Sequence, residues 1–387
     1  MSAIPYARQS ISDADIDAVV GVLRSDWLTQ GPDIARFEEA VAVYCGARHA
    51  VAVSNGTAAL HLACLSLDLG PGDLVWTSAI TFAASANCAR YCGADVDFVD
   101  IDPRTCNLSV PSLAEKLVRA KQAGRLPKVL VPVHFGGQSC DMLAIAKLAS
   151  QYGFRVIEDA SHAVGAQYRS AKVGACPHSD IAVFSFHPVK ILTTGEGGML
   201  MTNDDALARK LRLLRTHGIT RDPSEMEGES EGPWYYQQVA LGYNYRMTDI
   251  QAALGSSQFK RIDEFLGRRR ALVRRYDETL RGLPLSTPVE LAEAKSSWHL
   301  YVIQLDLEAL GIPRRTVFER MRAAGVLVNV HYIPVHLQPY YRALGFEMGD
   351  FPAAERYYER AISLPMFFGL SDADQDRVVA VLRDSLH

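Results

Sequence analysis

The stretch that decides the fold runs from Ile181 to Gly198 and reads IAVFSFHPVKILTTGEGG. It begins with an apolar run, Ile181–Phe184, that is typical of a buried strand, and a second apolar run, Met199–Thr202, follows it. The loop between them is rich in small and hydroxylated residues and contains a single lysine, Lys190. A lone lysine usually lies on the surface. Between two buried strands, however, the pattern favours a desolvated amine with a lowered pKa, and such an amine forms Schiff bases with carbonyl compounds.

The same alternation of short apolar strands and helical stretches extends back to about residue 49. One helical stretch, Asp141–Tyr152, stops at Gly153 directly before the next strand. Strands that alternate with helices predict a largely parallel sheet covered on both faces, which is the α/β class. The seven predicted strands are His49–Val53, Leu74–Thr77, Asp95–Val99, Lys128–Val133, Phe154–Glu158, Ile181–Phe184 and Met199–Thr202.

The length of 387 residues suggests two or three domains. A helix capped by Ser12 is expected over Asp13–Arg24, and the acidic segment Pro223–Pro233 is expected to be an exposed loop. A long helical stretch from Thr248 to Leu280 links the two parts of the chain. We expect residues 1–258 to form a large domain and residues 259–387 a smaller one. The smaller part mixes predicted strands, Leu300–Leu305 and Val326–Val330, with a predicted helix, Arg314–Ala324.

The composition disfavours several classes of protein. Hydrophobic residues make up 48% and charged residues 22%, which is normal for a soluble globular enzyme, and a net charge of −4 argues against a nucleic-acid binder. The start, MSAIPYARQS, does not resemble a signal peptide, and no apolar run reaches the roughly 18 residues of a membrane span. The seven cysteines are scattered without a CxxC pair. We therefore expect no metal site, no disulfide framework and a reducing cytoplasm.

Ligands of a doubly wound sheet gather beyond the carboxyl ends of its strands, so the residues after each strand are candidates. After His49–Val53, the turn Ser54-Asn55-Gly56-Thr57-Ala58 opens a helix. The amides of Thr57 and Ala58 and the Thr57 hydroxyl are suited to an anion, although a simple helix cap explains the turn equally well. After Leu74–Thr77 comes Phe82, which is suited to lie on an aromatic ring but is equally typical of a core residue.

The strand Phe154–Glu158 ends in Glu158-Asp159-Ala160-Ser161-His162. An acid at the end of a buried strand is costly unless a charged group pairs with it. A protonated ring nitrogen is such a partner, and a helix N-cap is the alternative explanation for Asp159.

Taken together and in order, these motifs resemble the sugar-nucleotide aminotransferases of the DegT/DnrJ/StrS family. The matching segments are SNGTAAL (Ser54–Leu60), TFAAS (Thr81–Ser85), EDASH (Glu158–His162) and SFHPVKILTTGEGG (Ser185–Gly198), and the likeness extends from WLTQGP (Trp27–Pro32) into the C-terminal part. The resemblance implies a fold type I transferase dependent on pyridoxal 5′-phosphate (PLP). Its large domain would hold a seven-stranded mixed sheet, and a smaller C-terminal α+β domain would follow.

The resemblance also implies roles for matching residues. Lys190 would hold PLP as a Schiff base and act as acid and base, with pyridoxamine phosphate formed during turnover, and Asp159 would pair with the pyridinium. Many relatives have Gln at the position of His162, and a minority branch that performs dehydration has His in place of the lysine. The resemblance further implies that Phe82 lies on the ring face, that His162 lies near the ring hydroxyl, and that Thr57, Ala58 and Ser185 bind the phosphate. Asn244 would contact the cofactor phosphate of a neighbouring subunit, in a homodimer with shared sites.

Three segments, Ser185–Lys190, Ser296–Tyr301 and Asn329–His336, are similar to the branch that makes 4-amino sugars for pseudaminic acid. This similarity implies L-glutamate as amino donor and a UDP-linked 2-acetamido-2,6-dideoxy-4-hexulose as acceptor. The product would be UDP-4-amino-4,6-dideoxy-N-acetyl-β-L-altrosamine. The candidate substrate contacts are Trp27, Gln30, His187, Arg246, His299, His331 and Tyr332. The aromatic and histidine residues among them are equally compatible with core or hinge positions.

Other functions remain open at this point. The nearest alternative is a 4-aminotransferase for a dTDP- or GDP-linked ketosugar, followed by a 3-amino specificity. A non-catalytic regulator with the PLP fold is a further alternative, but the chain has no basic stripe for DNA. A nucleotide hydrolase or a dehydrogenase is disfavoured because neither GxxxxGK[ST] nor a strand-linked GxGxxG occurs.

Overall fold

The computed structural model describes residues 2–387 and contains fourteen α-helices within that range. Their lengths run from single turns to 18 residues. The helices are α1 (Asp13–Leu23), α2 (Pro32–Cys45), α3 (Gly56–Ser66), α4 (Ala84–Tyr91), α5 (Val110–Gln122), α6 (Met142–Tyr152), α7 (Asp205–Arg215), α8 (Asp249–Phe259), α9 (Ile262–Thr279), α10 (Leu307–Leu310), α11 (Arg314–Ala323), α12 (Pro339–Arg342), α13 (Pro352–Arg360) and α14 (Asp372–Ser385).

The strands of residues 2–387 form one large sheet and several small ones. They are β1 (Ile4–Pro5), β2 (His49–Val53), β3 (Leu74–Ser78), β4 (Asp95–Val99), β5 (Val129–Val131), β6 (Arg155–Asp159), β7 (Gln167–Tyr168), β8 (Ala171–Lys172), β9 (Ile181–Ser185), β10 (Gly198–Thr202), β11 (Ile219–Thr220), β12 (Gln237–Gln238), β13 (Leu285–Ser286), β14 (Ala294–Lys295), β15 (Tyr301–Leu305), β16 (Val326–Leu327) and β17 (Ala361–Leu364).

The large sheet has the seven strands that the sequence predicts, in the order β2-β10-β9-β6-β5-β3-β4. Only β10 runs antiparallel to its neighbours, so the sheet is mixed, as the family resemblance implies, rather than purely parallel. The reversal has a simple cause. Parallel neighbours need a long crossover, whereas β9 and β10 are joined by the loop from Phe186 to Gly197 without a helix. This loop therefore stays at the carboxyl edge of β9 and carries Lys190 there.

Both faces of the large sheet are buried, which explains the nearly continuous apolar strands. Val183 and Leu200 pack on one face in a core shared with α3. Their neighbours Phe184 and Met199 pack on the opposite face in a core shared with α2 and α8. The alternation follows from the two-residue period of a strand.

The predicted helices are present, with one correction. Ser12 caps α1, since its hydroxyl accepts a hydrogen bond from the Asp15 amide and the Asp15 carboxylate accepts one from the Ser12 amide. The stretch expected to be one helix from Thr248 to Leu280 is divided into α8 and α9. No Gly or Pro marks the break at Lys260 and Arg261. The end of α8 and the first turns of α9 share the core of the large sheet, and α9 enters the C-terminal core from Leu272 onwards.

The C-terminal region builds its core around the sheet β13-β15-β17. Within the predicted strand Val326–Val330, only Val326–Leu327 forms a strand, β16, which pairs with the two-residue β1. Asn329 pairs with Ser363 of β17 in an isolated antiparallel bridge. The N terminus thus reaches the C-terminal region, where the Tyr6 carbonyl accepts a hydrogen bond from the Met366 amide (2.9 Å). The domain limit after residue 258 falls in the last turn of α8 and stays a prediction.

The segment Pro223–Pro233 is largely exposed, as its composition predicts. It precedes β12 in a small hairpin with β11. Within residues 2–387, none of the helices combines the length and the apolar character needed to cross a membrane.

Candidate active site

A cavity of about 920 Å³ lies at the carboxyl edge of the large sheet. We call the side that follows the sheet strands the sheet wall, defined by Thr57, Asp159, Ser185 and Lys190. The opposite side, defined by His299, His331 and Tyr332, is the C-terminal wall. Of the residues predicted from the sequence, the following line the cavity: Thr57, Ala58, Phe82, Asp159, His162, Ser185, His187, Lys190, His299, His331 and Tyr332.

Lys190 carries the amine of the sheet wall. Its backbone amide donates a hydrogen bond to the His187 carbonyl (2.9 Å), which fixes the turn on which it sits. Burial lowers the pKa of Lys190 to about 8, although the nearby Asp159 carboxylate acts in the opposite direction. A substantial neutral fraction is therefore present near physiological pH, and a neutral amine is what nucleophilic and proton-transfer chemistry requires.

Asp159 ends strand β6 and is 4% exposed. Its Oδ2 accepts a hydrogen bond from the Ser85 hydroxyl (2.5 Å), and its Oδ1 accepts one from the Ser161 amide (3.1 Å). The Ser85 hydroxyl also contacts the Thr81 hydroxyl (2.6 Å). The carboxylate of Asp159 therefore stabilises the turn at Ser161 and also lines the cavity. Ser85 belongs to the TFAAS segment, but the sequence does not indicate its role, because its contact with Asp159 joins distant parts of the chain.

The turn before α3 forms the predicted anion site with one correction. The Ala58 amide is not free, since it donates to Asn55 Oδ1 (2.8 Å), the N-cap of this helix. The amides of Gly56 and Thr57 have no hydrogen-bond partner within residues 2–387. A Cβ on Gly56 would lie 3.0 Å from the Ser185 Cβ, so a glycine lets these two segments approach each other closely. Two free amides at a helix N-terminus beside a hydroxyl fit a phosphate group.

The C-terminal wall carries uncharged rings. Burial, followed by the charge of Lys190, lowers the pKa of His331 to about 4. Burial also holds the pKa of His299 well below its usual value, with further contributions from His162 and Lys190. Nδ1 of His331 is fixed by the Ser363 hydroxyl at 2.7 Å. These side chains can exchange hydrogen bonds with hydroxyl or carbonyl groups without adding charge to the cavity.

Phe82 lies between the two walls. Its side chain is 60% exposed, and its ring lies 6.1 Å from that of Tyr332. An exposed aromatic face at the mouth of a cavity is available for stacking on a planar ligand. The core position that the sequence left open for Phe82 is therefore excluded.

Four predicted residues do not line the cavity of this protomer. Trp27 is 55% exposed, and Gln30 lies in the turn that leads into α2. Asn244 is exposed and forms a backbone bridge with Thr216, and Arg246 follows it at a partly buried position. The cavity is also lined by Tyr6, Glu196, Tyr245 and Asn329, for which the sequence predicted no role. Tyr6 belongs to no motif, so nothing in the sequence indicated it.

The residues of the sheet wall fit PLP. The amides at the start of α3 suit its phosphate, Asp159 suits a protonated ring nitrogen, Phe82 suits a ring face, and Lys190 suits the reactive carbonyl. An arrangement of this kind defines the class of lysine-dependent PLP enzymes.

The comparison with known proteins identifies the family. The sequence profile of the DegT/DnrJ/EryC1/StrS aminotransferase family matches residues 9–383, and the chain belongs to this family. It is 41% identical to the spore coat polysaccharide biosynthesis protein SpsC of Bacillus subtilis, covering 98% of this chain and 96% of SpsC. It is 40% identical to GDP-perosamine synthase of Caulobacter vibrioides, covering 98% of this chain and 97% of that protein.

Solved structures agree with this assignment. PseC of Helicobacter pylori, an aminotransferase of pseudaminic acid biosynthesis, superimposes with a TM-score of 0.91 at 29% identity, covering 100% of this chain and 99% of PseC. The PLP form of the sugar aminotransferase Spr1654 from Streptococcus pneumoniae superimposes with a TM-score of 0.88 at 29% identity, covering 99% and 98% of the two chains, and a pyridoxamine form is also known. The chain is thus a fold type I, PLP-dependent sugar aminotransferase.

Proposed function

We propose that this protein transfers the amino group of L-glutamate to C4 of a UDP-linked 2-acetamido-2,6-dideoxy-4-hexulose in the cytoplasm. The product is UDP-4-amino-4,6-dideoxy-N-acetyl-β-L-altrosamine, an intermediate of pseudaminic acid biosynthesis. The proposal of amino transfer rests on one observation: the amine of Lys190 lies in the same cavity as Asp159 and the free amides before α3. The sugar is supported by the structural similarity to PseC along the whole chain.

PLP supplies an electron sink for the carbon that gains or loses the amine when it is bound. Lys190 would hold it and move the proton to and from the reacting carbon, for which a pKa of about 8 is well suited. Asp159 would keep the ring nitrogen protonated and is itself held by Ser85 and Ser161. The Gly56 and Thr57 amides and the Ser185 hydroxyl would hold the phosphate.

Recognition of the sugar falls to the C-terminal wall. His299, His331 and Tyr332 offer neutral donors and acceptors to the hydroxyl, carbonyl and acetamido groups of a hexulose. Because the sugar ring of the substrate carries no charge, a wall without charged groups avoids burying an unpaired ion against it.

The cavity supports a homodimer with shared sites. Among the described residues that line it, Lys190 is the only lysine or arginine, whereas a sugar nucleotide and glutamate are both anionic. Asn244 and Arg246 lie outside the cavity of their own protomer, at an exposed and a partly buried position. We infer that they reach the cavity of a second copy, where Asn244 contacts the cofactor phosphate.

A GDP-linked 4-ketosugar is the second candidate acceptor. The chain is 40% identical to GDP-perosamine synthase, whereas it is 29% identical to PseC. The chemistry at Lys190 is the same for both, so the two candidates differ in nucleotide and sugar alone.

Incubation of the purified protein with glutamate and a panel of UDP-, GDP- and dTDP-linked 4-ketosugars distinguishes them. We expect the UDP-linked 2-acetamido-2,6-dideoxy-4-hexulose to give the highest kcat/KM, with the 4-amino product identified by NMR. A higher kcat/KM for a GDP-linked ketosugar would assign the second function. Absence of amino transfer to every member of the panel would refute both.

A further inference from the structure

His162 has one satisfied and one unsatisfied ring nitrogen. The side chain is buried, with 5% of its surface exposed, and its Nε2 lies 3.1 Å from the hydroxyl oxygen of Tyr332. Its Nδ1 is buried and has no hydrogen-bond partner within residues 2–387. Buried polar atoms are almost always paired, so an orphaned nitrogen at the edge of a cavity indicates that a ligand completes it.

Both side chains of this pair are neutral. Burial holds the pKa of His162 well below its usual value, and the charges of Lys190 and His331 lower it further. Burial also raises the pKa of Tyr332, assisted by the Asp159 carboxylate. The imidazole therefore holds one proton and the phenol keeps its own, so the pair has two protons to place.

Only one arrangement of the two protons leaves a single unpaired group. If the Tyr332 hydroxyl donates to Nε2 of His162, the imidazole proton lies on Nδ1, and this N–H alone lacks a partner. If Nε2–H donates to the phenol oxygen instead, both the phenolic hydrogen and the Nδ1 lone pair are unpaired, because His162 is the only side-chain partner of the Tyr332 hydroxyl in the described chain. Each unpaired buried group costs free energy, so the first arrangement is favoured.

The groups around the pair do not change this result. The His299 ring lies 4.4 Å from the His162 ring, and burial keeps it neutral as well. Lys190 and His331 are the other titratable groups whose charge affects His162, and a protonated Lys190 disfavours a second cation beside it. Asp159 acts on Tyr332 in the direction that keeps the phenol protonated.

We propose that Tyr332 is a positioning residue that keeps the proton of His162 on Nδ1, so that this N–H donates to an acceptor oxygen of the bound cofactor ring. A glutamine at this position would offer a carboxamide N–H whatever surrounds it. An imidazole offers an Nδ1–H only if its Nε2 accepts a hydrogen bond. Tyr332 supplies that bond from the C-terminal wall. The role depends on PLP as cofactor and is independent of which sugar is the acceptor.

The tautomer can be measured without cofactor or substrate. In protein labelled with ¹⁵N-histidine, we expect the ring nitrogen shifts of His162 to report the Nδ1–H tautomer in the cofactor-free wild type. Tyr332→Phe should move them towards the Nε2–H tautomer, whereas Tyr6→Phe, which alters another tyrosine of the same cavity, should not. An Nε2–H tautomer in the wild type, or unchanged shifts in Tyr332→Phe, would overturn the proposal.

Cofactor affinity gives a second, independent readout. Tyr332→Phe should weaken PLP binding about five- to tenfold in absorbance titrations, the loss expected for one hydrogen bond. The same substitution made on the background of His162→Gln should have no effect, because a carboxamide needs no partner to keep its N–H. An equal loss on both backgrounds would show that Tyr332 acts without His162 and would refute the role. If amino transfer fails for every sugar but the tautomer of His162 behaves as described, the proposed function is refuted and the role of Tyr332 is not.

Discussion

The two walls of the cavity differ in charge. The sheet wall holds the carboxylate of Asp159 at the end of β6 and the amine of Lys190 in the loop that follows β9. The C-terminal wall holds rings that stay neutral, with the pKa of His331 lowered to about 4. Proton transfer needs groups that change charge, whereas recognition of a neutral sugar ring does not. The difference supports the proposal that the sheet wall performs the chemistry and that the C-terminal wall selects the sugar.

The substitution Lys190→Ala tests the proposed division of roles between the two walls most strongly. We expect amino transfer to fall by about 10³–10⁴-fold, because both the covalent attachment and the acid-base group are lost. The loss should be the same for every ketosugar and visible in single-turnover measurements. Lys147→Ala, which removes an exposed lysine from α6, is the matched control and should retain wild-type rates. Turnover by a Lys190→Ala protein at more than a tenth of the wild-type rate would remove the residue from the mechanism.

Asp159→Asn should have the next largest effect. The amide keeps the shape of the side chain but not the charge, so a loss of about 10²–10³-fold in kcat is expected with little change in the KM for the sugar. The neighbouring Glu158 is a matched control, since its carboxylate bonds to His134 (2.7 Å) and does not line the cavity. If Glu158→Gln impairs kcat more than Asp159→Asn does in folded protein, the wrong carboxylate of the pair has been chosen.

The pKa of Lys190 allows the role of the sheet wall to be tested without any substitution. The rate of reductive methylation of Lys190 in the cofactor-free protein should rise with a midpoint near pH 8, well below the ordinary lysine pKa of 10.5. At pH 8 the neutral fraction of Lys190 would exceed that of an ordinary lysine by about 10²-fold. The unfolded chain binds more protons than the folded one between these values, so the stability of the cofactor-free protein should rise as the pH increases through this window. A midpoint above 10 would contradict the assignment.

On the C-terminal wall the expected effects are smaller and fall on binding. His331→Ala should raise the KM for the ketosugar about tenfold, the value of one hydrogen bond, and leave the half-reaction with glutamate nearly unchanged. Ser363→Ala, which removes the 2.7 Å hydrogen bond to Nδ1 of His331, should raise the KM about two- to threefold. A loss of the glutamate half-reaction in His331→Ala would contradict the division between the walls.

The sequence predicts the sheet well because its strands are buried on both faces and therefore read as apolar runs. The predicted and observed limits of β2 and β4 coincide, and those of β9 and β10 differ by one residue. The loop with Lys190 could be predicted for the same reason, since two such runs enclose it.

Features that depend on contacts between distant residues could not be predicted. The break between α8 and α9 carries no Gly or Pro, and Phe259 and Ile262 on either side of it pack in the same core, so no local sequence signal marked it. The hydrogen bond between His162 and Tyr332 joins residues 170 positions apart, and nothing local to either residue indicates it.

The pairing of β1 with β16 sets an order of assembly during synthesis. Ile4 is synthesised about 320 residues before its partner Val326. At about 20 residues per second, the first strand waits at least about 15 s for that partner. Throughout this interval the nascent chain can complete the large sheet with Lys190 and Asp159 in place. We therefore expect the site to be built in two stages, because Tyr6, whose ring lies 5.3 Å from that of His331, is synthesised long before the C-terminal residues that it contacts.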